Sequence, residues 1–123
     1  MDPASSPIRT PADPMQPVEG FFAYDVRVGT VVAARVNSGA RRPALVLTLD
    51  FGPLGERTTS AQLTRRYTPE TLVGRQVVAV VNFPPKRIAG VRSDVLVLGG
   101  VPAAGDVVLL APDAAVPNGT RIG

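Results

Sequence analysis

Three short basic stretches hold the side chains best suited to chemistry: Arg41 and Arg42 in "ARRP", Arg65, Arg66 and Tyr67 in "TRRY", and Lys86, Arg87 and Arg92 in "PPKRIAGVR". Guanidinium and ammonium groups bind phosphate by charge, and a ring beside them offers a face on which a base stacks. Tyr67 and Phe83 are such rings. Pro84 and Pro85 restrict the backbone just ahead of Lys86 and Arg87, so a ligand held there costs less ordering entropy. The bland reading of the same pattern is a set of solvated loop charges that keep the protein soluble.

Other chemistries find little to work with. The chain has no His and no Cys, which removes the usual imidazole acid/base, thiol nucleophiles, disulfides and structural zinc sites. After residue 20 the carboxylates stand singly at Asp25, Asp50, Glu56, Glu70, Asp94, Asp106 and Asp113. No two have a spacing that places a metal or glycosidase pair on one local face. "GVPAAGD", Gly100 to Asp106, has the glycine spacing of a phosphate loop, but Asp106 and Val107 stand where Lys and Ser/Thr are required. It reads as a hairpin turn. We therefore expect no enzyme, no metal and no cofactor.

Charge is unevenly spread over the 123 residues. The first 20 carry Asp2, Asp13 and Glu19 against Arg9, whereas the rest holds 12 Lys and Arg against 7 carboxylates, a net +5. A basic body of this kind attracts phosphate over long range. Five of the thirteen prolines fall in the first seventeen residues, without helix or strand periodicity, so residues 1–20 read as a Pro-rich extension ahead of one domain at 21–123. No apolar run approaches the roughly 20 residues of a spanning helix, and no leader pattern is visible, so no membrane span and a cytoplasmic location are expected.

The elements that must position the cations are mostly strands. Val26 to Val36 alternates, with Val26, Val28, Thr30, Val32, Ala34 and Val36 on one face and Gly29 marking a bulge or bend. After the polar "NSGARRP" turn, Leu45, Leu47, Leu49 and Phe51 alternate with Val46, Thr48 and Asp50 as a second strand. A third, shorter strand covers about Glu56 to Gln62. Thr68 as N-cap, Pro69 at the first helical position and Gly74 as a stop predict one short helix before the fourth strand. "RQVVAVVN" and "SDVLVLGG" are continuous apolar runs, expected to be covered on both faces. This order matches an all-β fold, the partly open five-stranded OB barrel with one short helix between strands 3 and 4. Phe21, Phe22 and Tyr24, ahead of the first strand, either close one end of the core or form a self-association patch.

The blocks "YDVRVGTVVAARV", "TSAQLTRRYTPETLVGRQVVAVVNFPPKRIAGVRSDVLVLGG" and "GDVVLLAPDAAVPNGTRIG" resemble the CsaA type of the tRNA-binding OB-domain family, which also supplies the C-terminal domain of many methionyl-tRNA synthetases. The resemblance spans roughly Phe21 to Gly123. It implies a homodimer joined through the segment with Phe21, Phe22 and Tyr24 and through the C-terminal segment. It also implies contacts to tRNA or other structured RNA from Asn82, Lys86, Arg87, Arg92 and Ser93, and from the "SAQLTRRY" segment with Ser60, Arg65, Arg66 and Tyr67. The alternative it implies is a secretion-related chaperone binding unfolded export preproteins.

Overall fold

The computed structural model describes residues 14–123; the rest of the Pro-rich extension lies outside them. Val18–Ala23 forms a short 3-10 turn, followed by β1 (Val26–Val36), β2 (Leu45–Asp50), β3 (Glu56–Ala61), the helix α1 (Pro69–Leu72) and β4 (Gln76–Val80). Five further short strands follow: β5 (Lys86–Ile88), β6 (Val91–Ser93), β7 (Leu96–Val97), β8 (Gly99–Ala103) and β9 (Asp106–Leu109). The main sheet has the order β3-β2-β1-β4-β7, every observed pairing is antiparallel, and it curls into the expected five-stranded, nearly closed barrel. Among the described residues no helix is long and apolar enough to cross a membrane.

β2 follows its alternation. Leu45, Leu47, Leu49 and Phe51 all point into a core that also holds Val31, Leu63, Leu72, Val77 and Ala79. The short helix also forms where its signals lie: the Thr71 hydroxyl accepts the Thr68 N–H (3.0 Å), donates back to the Thr68 carbonyl (2.9 Å), and Gly74 ends the turn at φ +93°. Its one buried residue, Leu72, packs into that core.

β1 departs from simple alternation. Its register against β2 shifts between Val31 and Ala33, so Val32 is the extra residue of a bulge and the side-chain phase flips there. Val31 and Ala34 face the core; Val26 and Val28 lie on the outer face with Val78 and Val80, covered by Leu98, Val116 and Ile122. Gly29, expected to mark the bulge, has another role: a Cβ there would stand 2.7 Å from the Phe51 ring, so the glycine makes room for the aromatic. The outer face is sheltered because the C-terminal segment runs along the edge of β1 that β2 leaves bare. Val28 N–H donates to the Thr120 carbonyl (2.9 Å), and Gly119 and Ile122 N–H groups donate to Val28 and Val26 (2.7 and 2.8 Å).

"SDVLVLGG" is not one strand covered on both faces. Val95 is buried, Leu96 is half exposed, and the chain leaves β4 after Leu98 to build the β8–β9 hairpin. Gly99 permits that departure, since a Cβ there would meet Val107 at 2.6 Å. The expected hairpin turn at Gly100–Asp106 is present, with Gly105 at φ +71°.

Lys86 to Ser93, read from sequence as a loop, is a two-stranded ribbon: Lys86 pairs with Ser93, Arg87 with Arg92 and Ile88 with Val91. Its two-residue turn has positive φ at both Ala89 (48°) and Gly90 (82°), the arrangement of a type I′ turn. Ala89 carries the steric penalty of that conformation, so Ala89→Gly is expected to raise stability by about 1 kcal/mol despite the added unfolded-state entropy. Thermal unfolding of the two chains checks this; a lowered midpoint would show that the turn is not strained.

Candidate nucleic-acid interface

The barrel does not close by a full ladder. Between β3 and the residues leading into β7, closure rests on a few bonds: Asp94 N–H donates to the Thr58 carbonyl (2.8 Å), and the Thr59 hydroxyl lies 2.8 Å from both the Val95 carbonyl and the Ser93 hydroxyl. Past this seam β3 and β7 part. The gap is a cavity of about 590 Å³ with a floor of Ala61, Leu63, Val95 and Val97 and walls that include Phe83, Pro84, Lys86, Ile88 and Val107.

The β5–β6 ribbon stands at the cavity mouth, and its alternation separates its cations. Lys86, Ile88 and Ser93 line the cavity, whereas Arg87 and its cross-strand neighbour Arg92 do not. Two guanidinium groups directly opposite each other repel. Arg92 is neutralised by Asp94 at 2.7 Å, while Arg87 donates to the Gly90 carbonyl at 3.1 Å. Lys86 and Arg87 have no carboxylate partner among the described residues. The loop bearing Arg41 and Arg42, both exposed, packs beside the ribbon's turn: a Cβ on Gly39 would stand 3.2 Å from the Ala89 carbonyl oxygen. Buried Asn37 at the root of this loop donates to the Ser60 hydroxyl (3.3 Å), tying the loop to the cavity wall. Arg41, Arg42, Ser60, Lys86, Arg87, Arg92 and Ser93 thus gather at one end of the barrel.

The "TRRY" residues are anchored elsewhere. Arg66 grips Asp106 through Nε, and through Nη2 at 2.9 Å; Arg65 donates to the Ala104 carbonyl at 3.3 Å. Both therefore hold the β8–β9 turn, which forms another wall of the cavity through Gly105. The Arg66 hydrogen bond holds the Asp106 carboxyl below its ordinary pKa, against the opposing effect of desolvation. A carboxylate depressed in the fold stabilises at pH values above its unfolded pKa of about 4, and that contribution is lost as pH falls through the lower folded value. Stability is therefore expected to drop on acidification below about pH 4, less so in Asp106→Asn; parallel acid titrations of unfolding that coincide in slope would contradict the linkage. Tyr67 is not a free stacking ring. Its hydroxyl accepts the Leu109 N–H (3.0 Å), it packs on the core, and the Arg75 guanidinium covers it at 5.5 Å.

Asn82 is likewise engaged locally. Its side-chain amide accepts the Asp25 N–H (2.9 Å) and donates to the Ala23 carbonyl (3.0 Å). That clamp sets Tyr24 against Phe83, edge to face, with ring centroids 5.8 Å apart. Phe21 and Phe22 pack on each other at 5.3 Å, and both remain about half exposed. They do not plug the barrel. Gln62, Ile88, Leu96 and Val97 also line the cavity, and none of them stood out in the sequence. The signal available for Ile88 was the alternation Lys86-Arg87-Ile88 across a turn with glycine at its second position, which marks a ribbon with two unlike faces.

Comparison with known proteins gives a consistent set. A family described as "Putative tRNA binding domain" matches residues 26–121. The chain is 43% identical over 109 residues to the methionine–tRNA ligase of Methanothrix thermoacetophila, a match covering 89% of this chain and 16% of that enzyme. The chain thus spans about one sixth of the length of such relatives. The crystal structure of chaperone CsaA from Bacillus anthracis superposes with a TM-score of 0.86 at 58% identity, covering 89% of this chain and all of that one. The CsaA chaperone protein of Picrophilus torridus gives 0.81 at 38% identity, with the same coverage.

Proposed function

We propose a function from the premise that this chain belongs to the tRNA-binding domain family, as a CsaA-like member: it binds tRNA through the basic end of its barrel, without catalysis. The observation that carries this reading is the β5–β6 ribbon, which holds Lys86 and Arg87 without carboxylate partners among the described residues, beside the loop of Arg41 and Arg42. Phosphates are positioned by such cations, and each contact releases counterions from the nucleic acid. Titrating labelled tRNA with the chain at two salt concentrations tests it. Affinity falling steeply with salt supports the reading, and binding that is absent or indifferent to salt overturns it.

The proposal includes a homodimer. Phe21, Phe22 and Tyr24 form an exposed aromatic patch, and Arg121 of the C-terminal segment donates to the Phe22 carbonyl at 3.2 Å, so both segments expected at the interface are contiguous. Sedimentation across a range of concentrations reads the association, and a monomer throughout refutes it. A second reading, binding of unfolded export preproteins, is favoured by the apolar cavity and by the chaperone names of the two CsaA structures. It requires that the chain slow the aggregation of a denatured client.

A further inference from the structure

We infer that the cavity between β3, β7 and the β5–β6 ribbon takes one unpaired nucleotide of a bound RNA, its base inside and its phosphate at Lys86. This rests on the tRNA-binding reading and adds a preference to it: RNAs with an unstacked base over fully paired ones. Phe83, Ile88 and Leu96 are each 40 to 51% exposed around one opening, an apolar concentration that calls for a ligand with an apolar body. The cavity volume of about 590 Å³ falls within the range of small-molecule sites.

Its polar groups fit a nucleotide. Lys86 brings a positive charge to the wall shared with Phe83 and Ile88, so a base lodged among the apolar side chains carries its phosphate toward the ammonium group. Ser60 and Gln62 offer a hydroxyl and an amide, which both donate and accept as base edges require. The one carboxylate of the lining, Asp94, is neutralised by Arg92 at 2.7 Å and so does not repel a phosphate. Arg87, on the ribbon's other face, remains available to the adjacent backbone. A base within a duplex cannot reach such a recess, whereas unpaired bases of loops and ends are the usual targets of RNA recognition in pockets. Charge complementarity selects this occupant over an extended neutral peptide, which gains nothing from Lys86.

The test compares two labelled RNA hairpins of the same stem, one blunt and one with a short single-stranded 3′ overhang, against the full chain. The overhang is expected to bind about tenfold more tightly, the scale of one stacked base. Ile88→Trp, which fills the recess from an exposed position, and Phe83→Ala, which removes a wall, should each erase that preference, the overhang then binding no more tightly than the blunt stem. Equal affinity for both RNAs in the wild type overturns the inference, as does a preference that survives both substitutions. An apolar extended peptide that displaces the overhang and binds more tightly assigns the cavity to peptides and also overturns it. Binding to neither RNA would refute the tRNA-binding reading itself, a distinguishable result.

Discussion

Replacing Lys86 and Arg87 together by alanine is expected to weaken tRNA binding about thirtyfold near 0.15 M salt. Each phosphate contact contributes about 0.9 to the slope of log affinity against log salt, so two contacts, taken from molar to physiological salt, account for about one and a half decades. The slope itself should become shallower by almost two. These two side chains are singled out because they lie on a two-stranded ribbon beside a rigid Pro84–Pro85 entry and have no carboxylate partner among the described residues. Arg66→Ala is the informative comparison: its guanidinium already grips Asp106, so its loss should weaken the β8–β9 turn more than the salt slope. If the double variant keeps both affinity and slope while Arg66→Ala loses them, the binding face lies on the other side of the cavity.

The largest stability effect is expected at the contact between Gly29 and Phe51. Phe51 is fully buried, and Phe51→Ala should cost about 3 to 5 kcal/mol by lost transfer energy and the cavity left behind. Gly29→Ala drives a methyl group to 2.7 and 2.8 Å from two ring carbons, overpacking that costs about 1 to 3 kcal/mol. The two substitutions share one volume, so the double variant should be less destabilised than the sum of the singles, by about 0.5 to 3 kcal/mol. Strictly additive losses in denaturant unfolding would mean that the ring moves aside freely and that Gly29 serves another purpose.

What the sequence revealed was what depends on near neighbours. Leu45, Leu47, Leu49 and Phe51 declare their face by alternation, and Thr68, Pro69 and Gly74 bound a helix through bonds made within one turn. The basic end was legible in part for the same reason: the cations stand beside prolines and glycines that fix local backbone. Its assembly was not, because it depends on long-range partners. The bulge at Val32 shows in the pairing of β1 with β2 and lies beyond its regular pairing with β4, which ends at Thr30. Asn82 and Tyr67 look like ligand-binding types in isolation, yet their polar atoms are taken by Ala23, Asp25 and Leu109, up to 59 positions away. The seam of Thr59, Ser93 and Val95 joins residues more than 30 apart, and the cavity exists only where that seam ends.

If tRNA meets this chain at the ribbon and the arginine loop, the most direct measurement follows the backbone amide resonances of isotopically labelled protein as tRNA is added. Shifts and broadening are expected to concentrate at residues 39–42, 60–62 and 86–93, leaving the outer face under the C-terminal segment, around Val26 and Val28, unchanged. Perturbations confined to Phe21, Phe22 and the C-terminal segment, with the ribbon silent, would contradict it.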